Sequence, residues 1–206
     1  MLKKLIAFIF SYLLVMSIAS ADEAQNHLSK GNELAKAKKY DEAVIEYDEV
    51  LKADPKNVTA ALLLGLTYAN LGKLDQAIQY TSKASKWNPS YTPFYNLGLI
   101  HAANNEPDKA IRSFDQALTF NPKSFMAEYQ KGLVYASQQA YSKAAESYQR
   151  AIELNPQFNE AHLALAGVSY KQGDKAAALA QVEELRKLKK DNLAKALDEW
   201  INEKRF

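Results

Sequence analysis

The sequence predicts an all-α fold, namely an α-solenoid of about five helix-turn-helix repeats followed by a C-terminal capping helix. One observation is a series of prolines, each preceded by Asp or Asn, that step by 34, 33 and 34 residues. A second is a series of glycines with the same spacing, and a fixed period of this size is typical of stacked helical repeats. The prolines are Pro55, Pro89, Pro122 and Pro156, and the glycines are Gly31, Gly65, Gly98 and Gly132.

Each repeat also carries small and aromatic residues at set places, and the stretch from residue 127 to residue 156 shows the whole pattern. Its small and aromatic positions are Gly132, Tyr135, Tyr141, Ala144, Tyr148 and Ala151. This spacing resembles the tetratricopeptide repeat family. The resemblance implies a right-handed solenoid whose first helices line a concave surface that holds a peptide or a partner helix.

The predicted boundaries follow the register of the prolines. A signal peptide covers residues 1–21, the repeats cover residues 22–57, 58–90, 91–124, 125–158 and 159–190, and the capping helix covers residues 191–206. In the third repeat we expect Thr92 to be the helix N-cap and Pro93 the first helical residue. The capping helix is predicted to cover the last apolar face of the array with one stripe of side chains. The stripe consists of Leu193, Leu197, Trp200 and Ile201.

The repeated glycines indicate a packing requirement, because a glycine inside a helix costs roughly 0.8–1 kcal/mol relative to alanine. The resemblance implies that the two helices of a repeat approach closely. Small residues are then expected to face small residues, with aromatic side chains filling the space further along. The facing pairs are Gly31 with Ala43, Gly65 with Ala77, Gly98 with Ala110, Gly132 with Ala144 and Ala166 with Ala178, and the aromatic residues are Tyr47, Phe114 and Tyr148.

The N-terminal segment has the three-part pattern of a secretory signal peptide. Lys3 and Lys4 precede an uncharged run that ends in small residues at Ala19 and Ala21. We therefore expect cleavage after Ala21 and a mature chain in the bacterial periplasm. The alternative is a retained membrane anchor, because the 17 residues of the run are only slightly fewer than the roughly 20 of a spanning helix.

Charge and cysteine content argue against two classes of function. Removal of residues 1–21 takes Lys plus Arg from 26 to 24, which equals the 24 Asp plus Glu, so the mature chain is formally neutral. A nucleic-acid partner is not expected, because it would require a basic surface. The sequence contains no cysteine, which excludes disulfides and thiolate metal ligands.

The three histidines are the candidates for catalysis or metal binding, but whole repeats separate them. His27 and His162 stand where the repeat carries a large packing residue, and His101 stands at a tyrosine place, so all three are interpreted as core residues. Ligand spacing on one helix, nucleophile elbows and phosphate loops are missing from the sequence. We therefore expect no cofactor, no metal and no enzymatic activity. The alternative of this class is an enzyme or metal protein that uses His101.

Some members of the resembled family bind an acidic C-terminal peptide with a carboxylate clamp of Lys, Asn and Arg on three first helices. Asn32 matches a clamp asparagine, but Leu28 and Leu63 replace the neighbouring lysine and the second asparagine. Thr92 and Asn96 stand where Lys and Arg are expected. A carboxylate-clamp peptide is therefore not the expected partner.

Two rows of mostly apolar residues on the first helices form the candidate binding surface, since residues three and four apart share a helix face. We call them the inner rows. The first contains Leu28, Leu62, Tyr95, Tyr129 and Leu163, and the second contains Asn32, Leu66, Leu99, Leu133 and Gly167. Asn96 and Gln130 are candidate polar groups beside them, and Tyr170 closes a neighbouring row of alanines. The alternative is that these rows only seal neighbouring repeats to each other.

The leading hypothesis is thus a non-enzymatic, exported scaffold for protein-protein interaction, whose partner is a protein or peptide of unknown identity. An extended apolar peptide or an amphipathic helix suits the inner rows, with Tyr95 and Tyr129 as aromatic anchors. The rival within this class is a membrane-tethered assembly factor with an uncleaved N-terminus.

Overall fold

A computed structural model describes residues 22–203, and in this part the chain forms eleven α-helices in a helix-turn-helix solenoid, which confirms the predicted fold class. Contacts divide the chain into two compact units, one up to Pro89 and one from Ser90 onward. The first unit contains α1 (22–36), α2 (Tyr40–Ala53), α3 (Val58–Asn70) and α4 (Leu74–Trp87). The second unit contains α5 (Tyr91–Ala103), α6 (Pro107–Phe120), α7 (Phe125–Ser137), α8 (Tyr141–Leu154), α9 (Asn159–Lys171), α10 (Lys175–Lys187) and α11 (Asp191–Glu203).

The Asp-Pro and Asn-Pro pairs end the second helix of each of the first four repeats. The residue before each proline is extended, with ψ near 90° at Asp54 and Asn155, because a following proline disfavours the α conformation. The Asn155 side chain then accepts a hydrogen bond of 3.2 Å from the backbone N–H of Gln157, and Asp54 does the same for Lys56. This local bond stabilises the turn into the next repeat.

The short turns inside the repeats, and the turn between α10 and α11, each place one residue at positive φ. Gly72 and Gly173 do so without a steric penalty, at 72° and 82°. Four other turns use residues with a side chain at this position, namely Lys38, Asn105, Gln139 and Lys189. The helix termini around them therefore carry local strain that glycine would relieve.

At Gly31, Gly98 and Gly132 the helix pairs pack differently from the prediction, whereas Gly65 lies against Thr81 and the Ala77 carbonyl oxygen. A Cβ atom added to Gly31 or Gly132 would lie 2.5 Å from the ring of Tyr47 or Tyr148 of the second helix. The glycine thus faces an aromatic ring directly, whereas the prediction placed an alanine opposite it. Ala43 and its counterparts are fully buried beside these rings. The physical reason is volume: only a glycine leaves room for a ring at this distance between helix axes.

Helix α5 begins at Tyr91 with Ser90 as its N-cap, so the predicted N-cap at Thr92 is wrong. Pro93 is the third residue of the helix and is buried. The first four N–H groups of a helix have no partner within it, so a proline here removes no helical hydrogen bond. Pro107 is likewise the first residue of α6, a position that favours proline.

Helix α11 packs on α10, and Ala194, Leu197 and Ile201 are its buried residues. Trp200 is half-buried against the same cluster. Leu193 is 36% exposed, so its predicted place on the buried stripe is wrong, and Ala194 occupies that place.

The predicted signal peptide, residues 1–21, and the last three residues of the predicted capping helix lie outside the described part of the chain. Between residues 22 and 203, none of the helices combines the length and the apolar character that crossing a membrane requires.

Candidate functional site

The inner rows of the first unit border an open groove of about 370 Å³. Leu66 projects from α3 with 40% of its surface exposed, and Asn32 of α1 is exposed beside it. The Tyr47 hydroxyl donates a hydrogen bond of 2.9 Å to Asn32 Oδ1, which orients the amide. The amide nitrogen of Asn32 remains able to donate to a peptide carbonyl. Leu28 and Leu62, of the same rows, are half-buried.

In the second unit, α5 contacts α7 and α7 contacts α9, which places the inner rows of these helices side by side. Leu133 is the most open of their apolar residues at 39% exposure. Leu99, Gln130 and Leu163 are half-buried. Leu133 holds the same place in its repeat as Leu66 in the first unit, so each unit exposes a leucine at one repeat position.

The two predicted aromatic anchors, Tyr95 and Tyr129, are each partly exposed and partly packed in the core. Tyr95 is half-buried, stacks on Tyr91 at 5.3 Å between ring centroids and lies 5.8 Å from Phe114. Tyr129 is also half-buried and contacts Phe158 at 4.9 Å. Burial raises the pKa of both hydroxyls, because it disfavours the phenolate. Replacing both rings would therefore lower stability as well as any binding, and the exposed leucines are better test positions.

Two predicted site residues are largely closed to a partner. Tyr170 is 6% exposed, and its ring lies 5.0 Å from that of Trp200 in the core between α9, α10 and α11. Asn96 is 8% exposed. The sequence pattern could not show this for Tyr170, because α11 covers a face that would otherwise be open.

His101 is 9% exposed, and its Nδ1 atom lies 2.6 Å from a carboxylate oxygen of Glu106 in the following turn. A hydrogen bond from Lys109 and then one with His101 lower the pKa of Glu106 to about 2. The carboxylate is thus held ionised as the bridge between helix α5 and the first turn of α6. This contact gives His101 a structural role. It also supplies a partner for the ring nitrogen that histidine brings to a position where the repeat usually has tyrosine.

The other two histidines also make bonds within the repeats. His162 is 3% exposed, with Nδ1 at 2.8 Å from Gln181 Oε1 and Nε2 at 3.0 Å from the Pro156 carbonyl oxygen. His27 is half-buried and lies 2.7 Å from Glu46. Within residues 22–203, no three potential metal ligands lie close together.

Sequence reasoning missed an aromatic series at the start of the first helices in the second unit. Tyr91 and Phe125 are the first residues of α5 and α7, and Phe158 precedes α9. Phe125 and Phe158 meet edge to face at 5.0 Å, and the Tyr91 hydroxyl lies 2.7 Å from Ser124 Oγ. The sequence contains a signal for this series, because Tyr91, Phe125 and Phe158 recur at the spacing of the repeats. The sequence analysis also did not predict an open groove between α2 and α4 of the first unit.

Comparison with protein families finds three matches to models described as Tetratricopeptide repeat, at residues 34–98, 95–157 and 129–192. The Hsp70-Hsp90 organizing protein 3 of Arabidopsis thaliana is 33% identical over 102 residues, which are 49% of this chain and 18% of that protein. The chain therefore spans only about a fifth of this relative.

Solved structures agree over most of the chain. The crystal structure of the MamA protein is 29% identical with a TM-score of 0.75, and the match covers 84% of this chain and 95% of that one. The structure of YrrB, a TPR protein with an unusual peptide-binding site, has a TM-score of 0.69 and covers 90% of this chain and 97% of that one. At 20% identity, the likeness to YrrB concerns the fold alone.

Proposed function

The chain belongs to the tetratricopeptide repeat family, and from this premise we propose that it is a non-enzymatic scaffold whose inner rows hold a partner helix or an apolar peptide. The observation that carries the proposal is the pair Leu66 and Leu133, which are 40% and 39% exposed at one repeat position. Each leucine is a large apolar side chain open to solvent at the same repeat position of its own unit, and such exposure is typical of a binding surface. Asn32 and Gln130 supply amide groups beside the leucines.

Export to the bacterial periplasm, with cleavage after Ala21, is part of the same proposal and rests on residues 1–21 alone. The intact mass of the protein isolated from its own cells tests it. A mass that lacks residues 1–21 supports the exported scaffold, and a mass that retains them supports the membrane-tethered alternative.

The binding surface is tested by site-specific photo-crosslinking in the producing cells, with the crosslinker at position 66 or at position 133. Leu193 provides the matched control, since it is an exposed leucine, 36% accessible, outside the inner rows. We expect positions 66 and 133 to yield a common adduct that position 193 does not yield. The double variant Leu66→Ser, Leu133→Ser should lose most of the captured partner with little change in melting, because both side chains are already exposed.

The variant Leu193→Ser should retain capture. If crosslinks form equally from all three positions, or if the double variant captures the partner as the parent does, the inner rows are not the binding surface.

A further inference from the structure

A second open groove, of about 440 Å³, lies between α2 and α4 of the first unit. Its apolar walls come from Ile45 and Leu51 of α2 and from Tyr80 and Trp87 of α4. Ile45 is 60% exposed, which is the highest value for a large apolar residue in the described chain. This groove uses the second helices, so it is separate from the inner rows on α1 and α3. Its volume is within the range of ligand-binding clefts.

One carboxylate among these walls has no hydrogen-bond or ion-pair partner within residues 22–203. Asp48 follows Ile45 by three residues on the same face of α2, and its side chain makes no hydrogen bond or ion pair with another residue between 22 and 203. Burial raises the pKa of this carboxyl, because the groove removes water from the charged form, while nearby lysines act in the opposite direction.

Each of the two lysines at the rim contacts a group other than Asp48. Lys52 Nζ lies 2.6 Å from Glu49 Oε1, and Lys83 Nζ lies 4.8 Å above the ring of Tyr80. Asp48 is therefore left without a hydrogen-bonded or ion-paired lysine, although Lys52 and Lys83 are near enough to act on its charge. The position of Lys83 also shows that a cation is stabilised against this aromatic wall. Trp87, seven residues after Tyr80 on the same face of α4, offers a second ring of the type that binds cations best.

We propose that this groove binds an arginine side chain of a peptide partner, with the guanidinium group on the Asp48 carboxylate and its planar face against Trp87. An unpaired carboxylate between apolar and aromatic walls is complementary to arginine. The guanidinium group forms paired hydrogen bonds with a carboxylate, stacks on aromatic rings and is more weakly hydrated than an ammonium group. Apolar residues beside the arginine would contact Ile45 and Leu51.

The test is an NMR titration of the ¹⁵N-labelled full chain with acetyl-Leu-Arg-Leu-amide, compared with the same peptide carrying citrulline in place of arginine. Citrulline has nearly the same shape as arginine but carries no charge. We expect the arginine peptide to shift the Trp87 indole signal and the backbone signals of Ile45 and Asp48. The citrulline peptide should bind about tenfold or more weakly, as expected for a lost charged hydrogen bond.

The variant Asp48→Asn should abolish the preference for arginine and keep the fold, because the amide has nearly the same shape. Asp75→Asn is the matched control, since it removes one exposed carboxylate from α4 outside the groove, and it should preserve the preference. Equal binding of the two peptides, no binding of the arginine peptide, or shifts confined to other surfaces would each overturn the proposal. The variant Leu66→Ser, Leu133→Ser should leave this titration unchanged, so the outcome is independent of the inner rows.

Discussion

The close approach of a glycine to an aromatic ring is the residue-scale contact that joins the two helices of a repeat. Gly132 lies under the ring of Tyr148, which is fully buried and whose pKa burial raises. The same contact joins Gly31 to Tyr47. In the second repeat Thr81 takes the place of the ring, and its buried hydroxyl lacks a hydrogen-bond partner within residues 22–203. At Gly31, Gly98 and Gly132 the helix-weakening effect of glycine is thus offset by an aromatic ring packed directly against it.

Gly132→Ala should destabilise the chain by about 1–3 kcal/mol, because the new Cβ would lie 2.5 Å from Tyr148 and would force the helices apart. Urea denaturation measures the change. Gly167→Ala is the matched control in α9, since a Cβ there meets nothing within 4 Å. That variant should instead stabilise the chain by roughly 0.8–1 kcal/mol through helix propensity. A loss of stability at both positions, or at neither, would contradict the proposed contact.

At the scale of the element, α11 shows how one helix face is divided between core and solvent. Its buried side chains contact Val182 and Leu185 of α10 and the ring of Tyr170 of α9. Such an element covers the apolar face that a repeat would otherwise bury against a following repeat. The polar side chains of α11 face water, and Asp198 reaches back to Arg186 at 3.2 Å.

Ile201→Ala should cost about 2–5 kcal/mol, because Ile201 is fully buried and its truncation leaves a cavity. Leu193→Ala on the same helix should cost much less, since 36% of that side chain is already exposed. Chemical denaturation of the two variants checks the difference. Comparable losses would mean that α11 does not pack on α10 through the face described.

At the scale of the whole molecule, stability should follow the repeats. In helical arrays each repeat contacts its neighbours, so total stability is approximately a sum of repeat and neighbour terms. The contacts have that pattern within each unit. In the first unit α2 packs on α3 and α3 on α4, and in the second each helix from α5 to α10 packs on the next one. A mutation in one repeat should therefore destabilise mainly that repeat and its neighbours.

Gly132→Leu, which introduces a larger clash in the fourth repeat than alanine does, should lower hydrogen-exchange protection most in α7 and α8 and least in α1 and α2. Unfolding should become less cooperative than in the parent chain. Exchange monitored by mass spectrometry of proteolytic fragments tests this. A uniform loss of protection along the chain would show that it unfolds as a single cooperative unit.

Residue spacing alone was enough to predict the helix-turn-helix order and the place where the second helix of each of the first four repeats ends. Those features depend on neighbours in the chain: Asn155 is extended because Pro156 follows it, and Gly72 turns the chain because it accepts positive φ. The repeat pattern and the burial of His101 and His162 could also be predicted from residue spacing, whereas His27 is only half-buried and the inner rows as a binding surface are still a prediction. Export is still a prediction from residues 1–21.

Only the packing of the helices against each other shows which helix faces are covered. Leu193 and Tyr170 have the spacing of a buried and of an open residue, yet the packing of α11 exposes the first and buries the second. The ring over Gly132 and the groove around Asp48 likewise depend on the distance between two packed helices, which residue spacing along the chain does not specify. Periodicity predicts which residues share a helix face, whereas the side chains of neighbouring helices determine whether that face meets protein or water.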